Sequence, residues 1–294
     1  MPDLANLDYV GRVNRALDHV MRNLDQPLPL DEVARVACFS SFHFHRIFRA
    51  LTGETLAQLV KRARLERAVY LMSHRKDTSL TEIALACGFS SSSDFSRSFR
   101  DHYGVPPSAF DVQRFRDAHR EAFAGARLPP GENPDGFAVR LRDVPARRVA
   151  YVRVHKPYEG GAVAAAERML AWARRRGLAG GQWLGYQWDD PEIVELARCR
   201  YDVGLEVPDG VVADGEVGIQ LFPAMKLAEL DLAGSIELEL RALDWLYGSW
   251  LPTSGWAPDH QPCFEAWNGE PFAHGTTHFE LRLQLAVTDA AVPP

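Results

Sequence analysis

One pattern is written twice in the first third of the chain. ACFSSFHFHRIFR occupies residues 37–49, and ACGFSSSSDFSRSFR occupies residues 86–100. Leu30, Glu32, Ala34 and Phe39 align with Leu80, Glu82, Ala84 and Phe89 at an offset of 50. Phe44, Arg46, Phe48, Arg49 and Gly53 then align with Phe95, Arg97, Phe99, Arg100 and Gly104 at an offset of 51. A chain that repeats both its apolar spacing and its turn residues must build the same small unit twice. The one-residue insertion is expected near the start of the second helix of the second copy, so that the two helices need not present equivalent faces.

Each copy reads as two short helices around a tight turn. Ser79-Leu-Thr-Glu82 is a capping box, Gly88 suits a positive φ, and Ser90 or Ser91 can cap the following helix. Pro29, Glu32, Cys38 and Ser40 hold these places in the first copy. Cys38 replaces the glycine and predicts a turn that is less left-handed or slightly strained. In the second helices, Phe44, Ile47, Phe48 and Leu51, and Phe95, Phe99 and Tyr103, keep helical spacing and face a core. Phe42, His45, Arg46 and Arg49 are left facing outward in one copy, and Ser92, Ser93, Ser96, Arg97 and Arg100 in the other. Such side chains bond base edges and phosphates in a major groove. A solvated helix face is the competing reading. Between the copies, residues 55–72 form one helical pattern, a rod of about 27 Å. Two reading helices held that way would sit about one DNA turn apart. Lys61, Arg62 and Arg64 lie on the rod, and with Ser40, Arg49, Ser91 and Arg100 are the candidate phosphate contacts.

Net charge is −6, but it is unevenly spread. Residues 1–116 carry 16 Lys and Arg against 13 Asp and Glu, and the remainder carries 17 against 26. All seven Trp lie in the second part. This asymmetry predicts two domains with different work. PPGENPDG lies within a linker expected over residues 117–136. No apolar run is long enough for a membrane span, and the N-terminal stretch does not read as a signal peptide. The four cysteines form no CxxC pair or zinc spacing, so they are expected as reduced thiols in a cytoplasm, with no metal and no cofactor.

The second part also repeats. VPARRVAYVRV at 144–154 matches FPAMKLAELDL at 222–232, and each is followed by a helical stripe. The stripes are Val163, Ala166, Leu170 and Ala173, and Ile236, Leu240, Leu243, Tyr247 and Trp250. Ser235 reads as an N-cap, with Glu237 and Glu239 near the positive end of its helix. GYQWDD aligns with FEAWNG, and YDVGLEV with LRLQLAV. Two β-α-β-β repeats result, an antiparallel sheet backed by helices with a cleft on the pseudo-twofold axis. The expected fold is therefore multidomain: an all-α N-terminal domain with two helix-turn-helix units on a long helix over 1–116, and an α+β domain over 137–290. The alignment sets Tyr186 opposite Glu265 and Trp188 opposite Trp267. With Trp183 these are the candidate effector site, since a carboxylate among aromatics suits an organic cation. Ordinary packing of the Trp residues and a surface Glu265 is the competing reading.

LPLDEVARVACFSSFHFHRIFRALTG, KRARLERAVYLM and LTEIALACGFSSSSDFSRSFRDHYGVPPSAF resemble the DNA-binding domain of the AraC/XylS regulators over about residues 8–112. That resemblance implies double-stranded DNA as partner, with RNA polymerase, and base reading by Phe42, His45 and Arg46 and by Ser92, Ser93, Ser96 and Arg97. WLPTSGWAPDHQPCFEAWN and HFELRLQLAV resemble the GyrI-like effector-binding domain over about 137–288, and the pairing resembles Rob-type regulators. It implies a small cationic or amphipathic effector held by Glu265. Some relatives hydrolyse strained electrophiles with a Tyr/Glu pair, so Tyr186 and Glu265 as a hydrolase, or a tail that only docks proteins, are the alternatives. No Ser-His-Asp order or phosphate loop is present, and the expectation is a regulator rather than an enzyme.

Overall fold

The computed structural model describes residues 4–75, 78–120, 128–129, 131–155, 160–259 and 261–289. It divides into two compact units. One spans Met1–His119 with Glu192–Val194 and Asp214–Gly218, and the other holds the rest of the chain.

The first unit is helical. Its elements are α1 (Leu4–Arg22), α2 (Leu30–Val36), α3 (Ser41–Thr52), α4 (Leu56–His74), α5 (Leu80–Ala86), α6 (Ser92–Tyr103) and α7 (Val112–Arg120). The α2–α3 and α5–α6 turns are hydrogen-bonded alike. Cys38 and Phe39 donate to Arg35 and Ala34, and Gly88 and Phe89 donate to Leu85 and Ala84. Both turns satisfy the last carbonyls of the helix in the manner of a Schellman cap. Gly88 sits at φ 82° and Cys38 at φ 54°, so the thiol side chain adopts the left-handed turn rather than avoiding it. A Cβ at Gly88 would overlap the Leu24 carbonyl. Arg12 braces the first turn, donating to the Ala37 and Cys38 carbonyls and lying 3.7 Å over the Phe39 ring.

The inserted residue is absorbed before α6. Ser40 caps α3 and Ser91 caps α6, each helix has 12 residues, and Gly53 and Gly104 close them at the same φ of 79°. Ser91 therefore corresponds to Ser40, the extra residue lies in the turn, and the two helices present equivalent positions. This corrects the expected inequivalence. Phe44 and Phe48 are buried with Val13, Leu17, Val20 and Val33. Phe95 and Phe99 are buried with Leu65, Val69 and Ile83. Leu51, expected inside, is 40% exposed.

The second unit is a nine-stranded sheet with helices. Its elements are β1 (Arg140–Val144), β2 (Arg147–His155), α8 (Gly161–Arg175), β3 (Trp183–Gln187), β4 (Arg200–Glu206), β5 (Gly218–Phe222), β6 (Met225–Gly234), α9 (Ile236–Trp245), α10 (Leu251–Ser254), β7 (Trp256–Pro258), β8 (Cys263–Trp267) and β9 (Phe279–Asp289). The strand order is β1-β6-β9-β8-β3-β4-β2-β5, with β7 added beside β9. From β1 to β2 every pairing is antiparallel. The order mirrors about the β8–β3 pair. Each copy has one strand more than the β-α-β-β reading, because β1 and β5 precede the helix-linked strands. Each crosses over: β1 pairs with β6 of the second copy, and β5 with β2 of the first.

The helical stripes are shifted by about one position from the sequence reading. Ala165, Ala166, Met169, Trp172 and Ala173 are the buried residues of α8. Those of α9 are Glu239 and Ala242. Of the expected linker, residues 117–120 continue α7, while 121–127 and Pro130 lie outside the described residues. Leu128 N–H donates to Asp244 and Arg241 pairs with Asp135 at 2.8 Å, so this part of the segment is strapped to α9.

Candidate functional site

Strand alternation decides what meets Glu265. Cys263, Glu265 and Trp267 point to one face of β8, and Phe264 and Ala266 to the other. Glu265 pairs with Gly185 on β3, and Gly185 in turn lies beside β4. With no side chain at Gly185, the Tyr201 ring from β4 passes over β3 and its hydroxyl donates to Glu265 Oε2 at 2.5 Å. A Cβ at Gly185 would overlap both the Tyr201 hydroxyl and the Glu265 carboxylate. The Trp267 indole lies beside the same Tyr201 hydroxyl. From α9, the Glu239 carboxyl donates to Glu265.

Burial sets the proton affinities. It pushes Glu265 up to about 7, against the downward pull of the hydrogen bonds from Tyr201 and Glu239. Burial, then the charge of Glu265, pushes Glu239 well above the ordinary carboxylate range. The Tyr201 phenol and the Cys263 thiol are raised by the same burial and by the neighbouring acids. The arrangement is a carboxyl pair, Glu239 buried and Glu265 half-buried, beside the Tyr201 and Trp267 rings. It can hold a cation or move a proton.

Tyr186 and Trp188 are not there. Tyr186 points to the opposite face, fully buried with Tyr151, Leu184, Phe222 and Phe264. Trp188 packs against the Tyr186 and Phe222 rings and donates to Asp202 at 2.6 Å. Asp202 is the partner of Arg153 in a fully buried ion pair of 2.8 Å. The expected Tyr186–Glu265 couple is thereby corrected: two residues aligned in the repeats carry opposite strand parity. Trp183 and Trp267 share the face of Glu265. They line a cavity of about 350 Å³ with Gln182, Gly269 and Glu270, and Glu265 and Glu239 lie outside that lining. Among the described residues, no cluster of His, Cys, Asp or Glu could hold a metal ion.

In the helical unit, Phe42, His45, Arg46 and Arg49 are all exposed along α3, with Phe42 at 67%. Ser93, Arg97 and Arg100 are exposed at the matching places of α6, and Ser92 and Ser96 are half-buried. Arg97 lies 3.5 Å from Asp94. The Ser40 and Ser91 side chains accept backbone N–H groups as caps. Lys61 is exposed. Arg62 and Arg64 are otherwise engaged, which corrects their reading as phosphate contacts. Arg62 bridges Glu54 at 2.6 Å and Glu66 at 2.9 Å with its side chain 14% exposed. Arg64 donates to the Leu24 and Gln26 carbonyls beyond α1.

Residues 137–287 match the model of the GyrI-like small molecule binding domain, and residues 33–113 match a helix-turn-helix domain of the AraC type. The chain belongs to the GyrI-like family. Its relatives include the DNA gyrase inhibitor of Serratia proteamaculans, 32% identical over 155 residues, which are 51% of this chain and 98% of that protein. The transposon Tn10 TetD protein of Escherichia coli is 40% identical over 31% of the chain and 65% of its own length. The HTH-type transcriptional regulator YbfP of Bacillus subtilis is 29% identical, with the alignment covering 41% of each chain. The chain thus spans less than two thirds of TetD and of YbfP.

In this GyrI-like domain, sequence reading missed Glu239, Tyr201 and Gly185. Glu239 falls on the Glu239–Ala242–Leu246 stripe, whose spacing is as helical as that of Ile236, Leu240 and Leu243. Tyr201 carries a hydroxyl where its repeat partner is Leu281, a polar substitution that was a usable signal.

Proposed function

We propose that the chain is a transcriptional regulator in which two helix-turn-helix units read adjacent major grooves and the GyrI-like domain binds a small cationic effector. The observation that carries the DNA reading is the matched pair of α3 and α6. Their exposed residues occupy equivalent positions while their chemistry differs: Phe42, His45 and Arg46 against Ser93, Ser96 and Arg97. Ser92 completes the second set. Aromatic, His and Arg side chains can reach base edges, whereas a Ser-rich face leans on phosphates and backbone. Arg49, Lys61 and Arg100, with the Ser40 and Ser91 helix starts, complete the phosphate set. The site is an asymmetric duplex, with RNA polymerase as the further partner. The effector is held by Glu265 on the sheet face that it shares with Trp183 and Trp267, with Tyr186 and Trp188 supporting the sheet from its other face. The relatives named as regulators support a non-enzymatic role.

Selection of the full chain against a random duplex library tests this. The expected product is a non-palindromic site with two elements about one helical turn apart. Arg46→Ala should erase preference in one element only. No enrichment, or an unchanged site for Arg46→Ala, refutes the reading.

A further inference from the structure

The proposal here rests on the effector reading and deepens it. Two carboxyl groups in hydrogen-bond contact, one of them buried, resist ionising together in the neutral range. Glu239 is 7% exposed and its hydrogen bond runs to Glu265. The other groups that face the pair are Tyr201 on β4 and Cys263 on β8, both neutral, together with the indole of Trp267. No Lys or Arg among the described residues bears on the titration of Glu239, Glu265, Tyr201 or Cys263. A second negative charge beside the first is relieved by a proton or by a cationic ligand.

We infer that Glu239 is the charge-specificity residue of this site: by sharing one proton with Glu265 it fixes the carboxyl pair at a single negative charge, so that organic monocations bind directly and dications bind only with release of that proton. A monocation needs Glu265 ionised and Glu239 protonated. A dication gains from ionising both, and its affinity is then linked to the proton it displaces.

Ethidium and propidium share one aromatic core and carry one and two positive charges. Titrating each into the full chain from pH 6 to 9, by dye fluorescence, separates the cases. Ethidium affinity should rise through about pH 7 and then level. Propidium affinity should keep rising after that of ethidium has levelled, by up to about tenfold per pH unit. In Glu239→Gln the continued propidium gain disappears, and the two dyes then follow the same dependence on pH. Parallel wild-type profiles for the two dyes, or an unchanged propidium slope in Glu239→Gln, overturn the proposal.

If neither dye binds, the cation reading itself fails, and the shared proton is decided by infrared spectroscopy. A protonated-carboxyl band that persists above the Glu265 step near pH 7 and that Glu239→Gln removes upholds it, and a wild-type spectrum without one refutes it. Should Glu239→Gln not fold, the wild-type band and the contrast between the dyes settle the matter.

Discussion

Tyr201 reaches Glu265 across an intervening strand, over the bare α-carbon of Gly185. The two residues lie on β4 and β8, which are not neighbours, and β3 between them gives way only at that glycine. The contact joins the two copies of the repeat. It makes the carboxylate a property of the folded pair rather than of either half.

Gly185→Ala should disturb this contact directly. Its methyl group overlaps both partners, so overpacking of roughly 1–3 kcal/mol is expected. Thermal melting should show the loss, and fluorescence titration with a cationic dye should show weakened binding in whatever fraction folds.

Tyr201→Phe removes a hydrogen bond that favours the ionised Glu265. The carboxyl should then hold its proton to higher pH. The midpoint of ethidium binding, measured across a pH series, should move upward with little change in melting temperature. A midpoint that stays in place rejects the role given to this hydroxyl.

Stability should fall as pH rises. A carboxyl whose proton affinity is raised on folding leaves the folded state with more bound protons than the unfolded one, so folding loses free energy above the unfolded value of about 4.5. The loss due to Glu265 accumulates from there to about pH 7, at roughly 1–3 kcal/mol, and Glu239 adds to it. Glu265→Gln should flatten denaturant-melt stability between pH 5 and 8.

Two arginines of the helical unit should separate by phenotype. Arg62→Ala strands Glu54 and Glu66 beside each other, and a loss of about 2–4 kcal/mol in urea unfolding is expected. Arg46→Ala, on an exposed face, should leave unfolding within about 0.5 kcal/mol and change only DNA binding.

Cys38→Gly should stabilise. A side chain in the left-handed region costs on the order of 1 kcal/mol, and its replacement by glycine returns part of that against greater freedom in the unfolded chain. A gain in melting temperature of a few degrees is expected. Gly88→Ala should do the reverse, more severely, because its Cβ also meets the Leu24 carbonyl.

The helical unit was largely legible. Capping boxes, phenylalanine spacing and turn residues are local, and each names a position without reference to the rest of the chain. Ser79 and Glu82 form the capping box that their spacing announces. Arg62 and Arg64 were misread because a basic residue shows its charge but not its partner, and Glu54 and Leu24 become neighbours only through packing. In the sheet, the repeat gave elements but not faces. Tyr186 and Gly185 differ by one residue, and strand parity sends one to the opposite core and leaves the other beneath Tyr201. The stripe of α9 was ambiguous by one position, and that position is Glu239.

The crossing of β1 and β5 means that the two copies are not separable modules. A chain ended between β4 and β5 keeps β1 without β6 and leaves β2 with an open edge. A fragment holding only the second copy has the mirror defect. Each fragment lacks the strand that the other displays, so the pair should reassemble when mixed, as two complementary pieces, while either alone presents bare backbone to its own copies and self-associates.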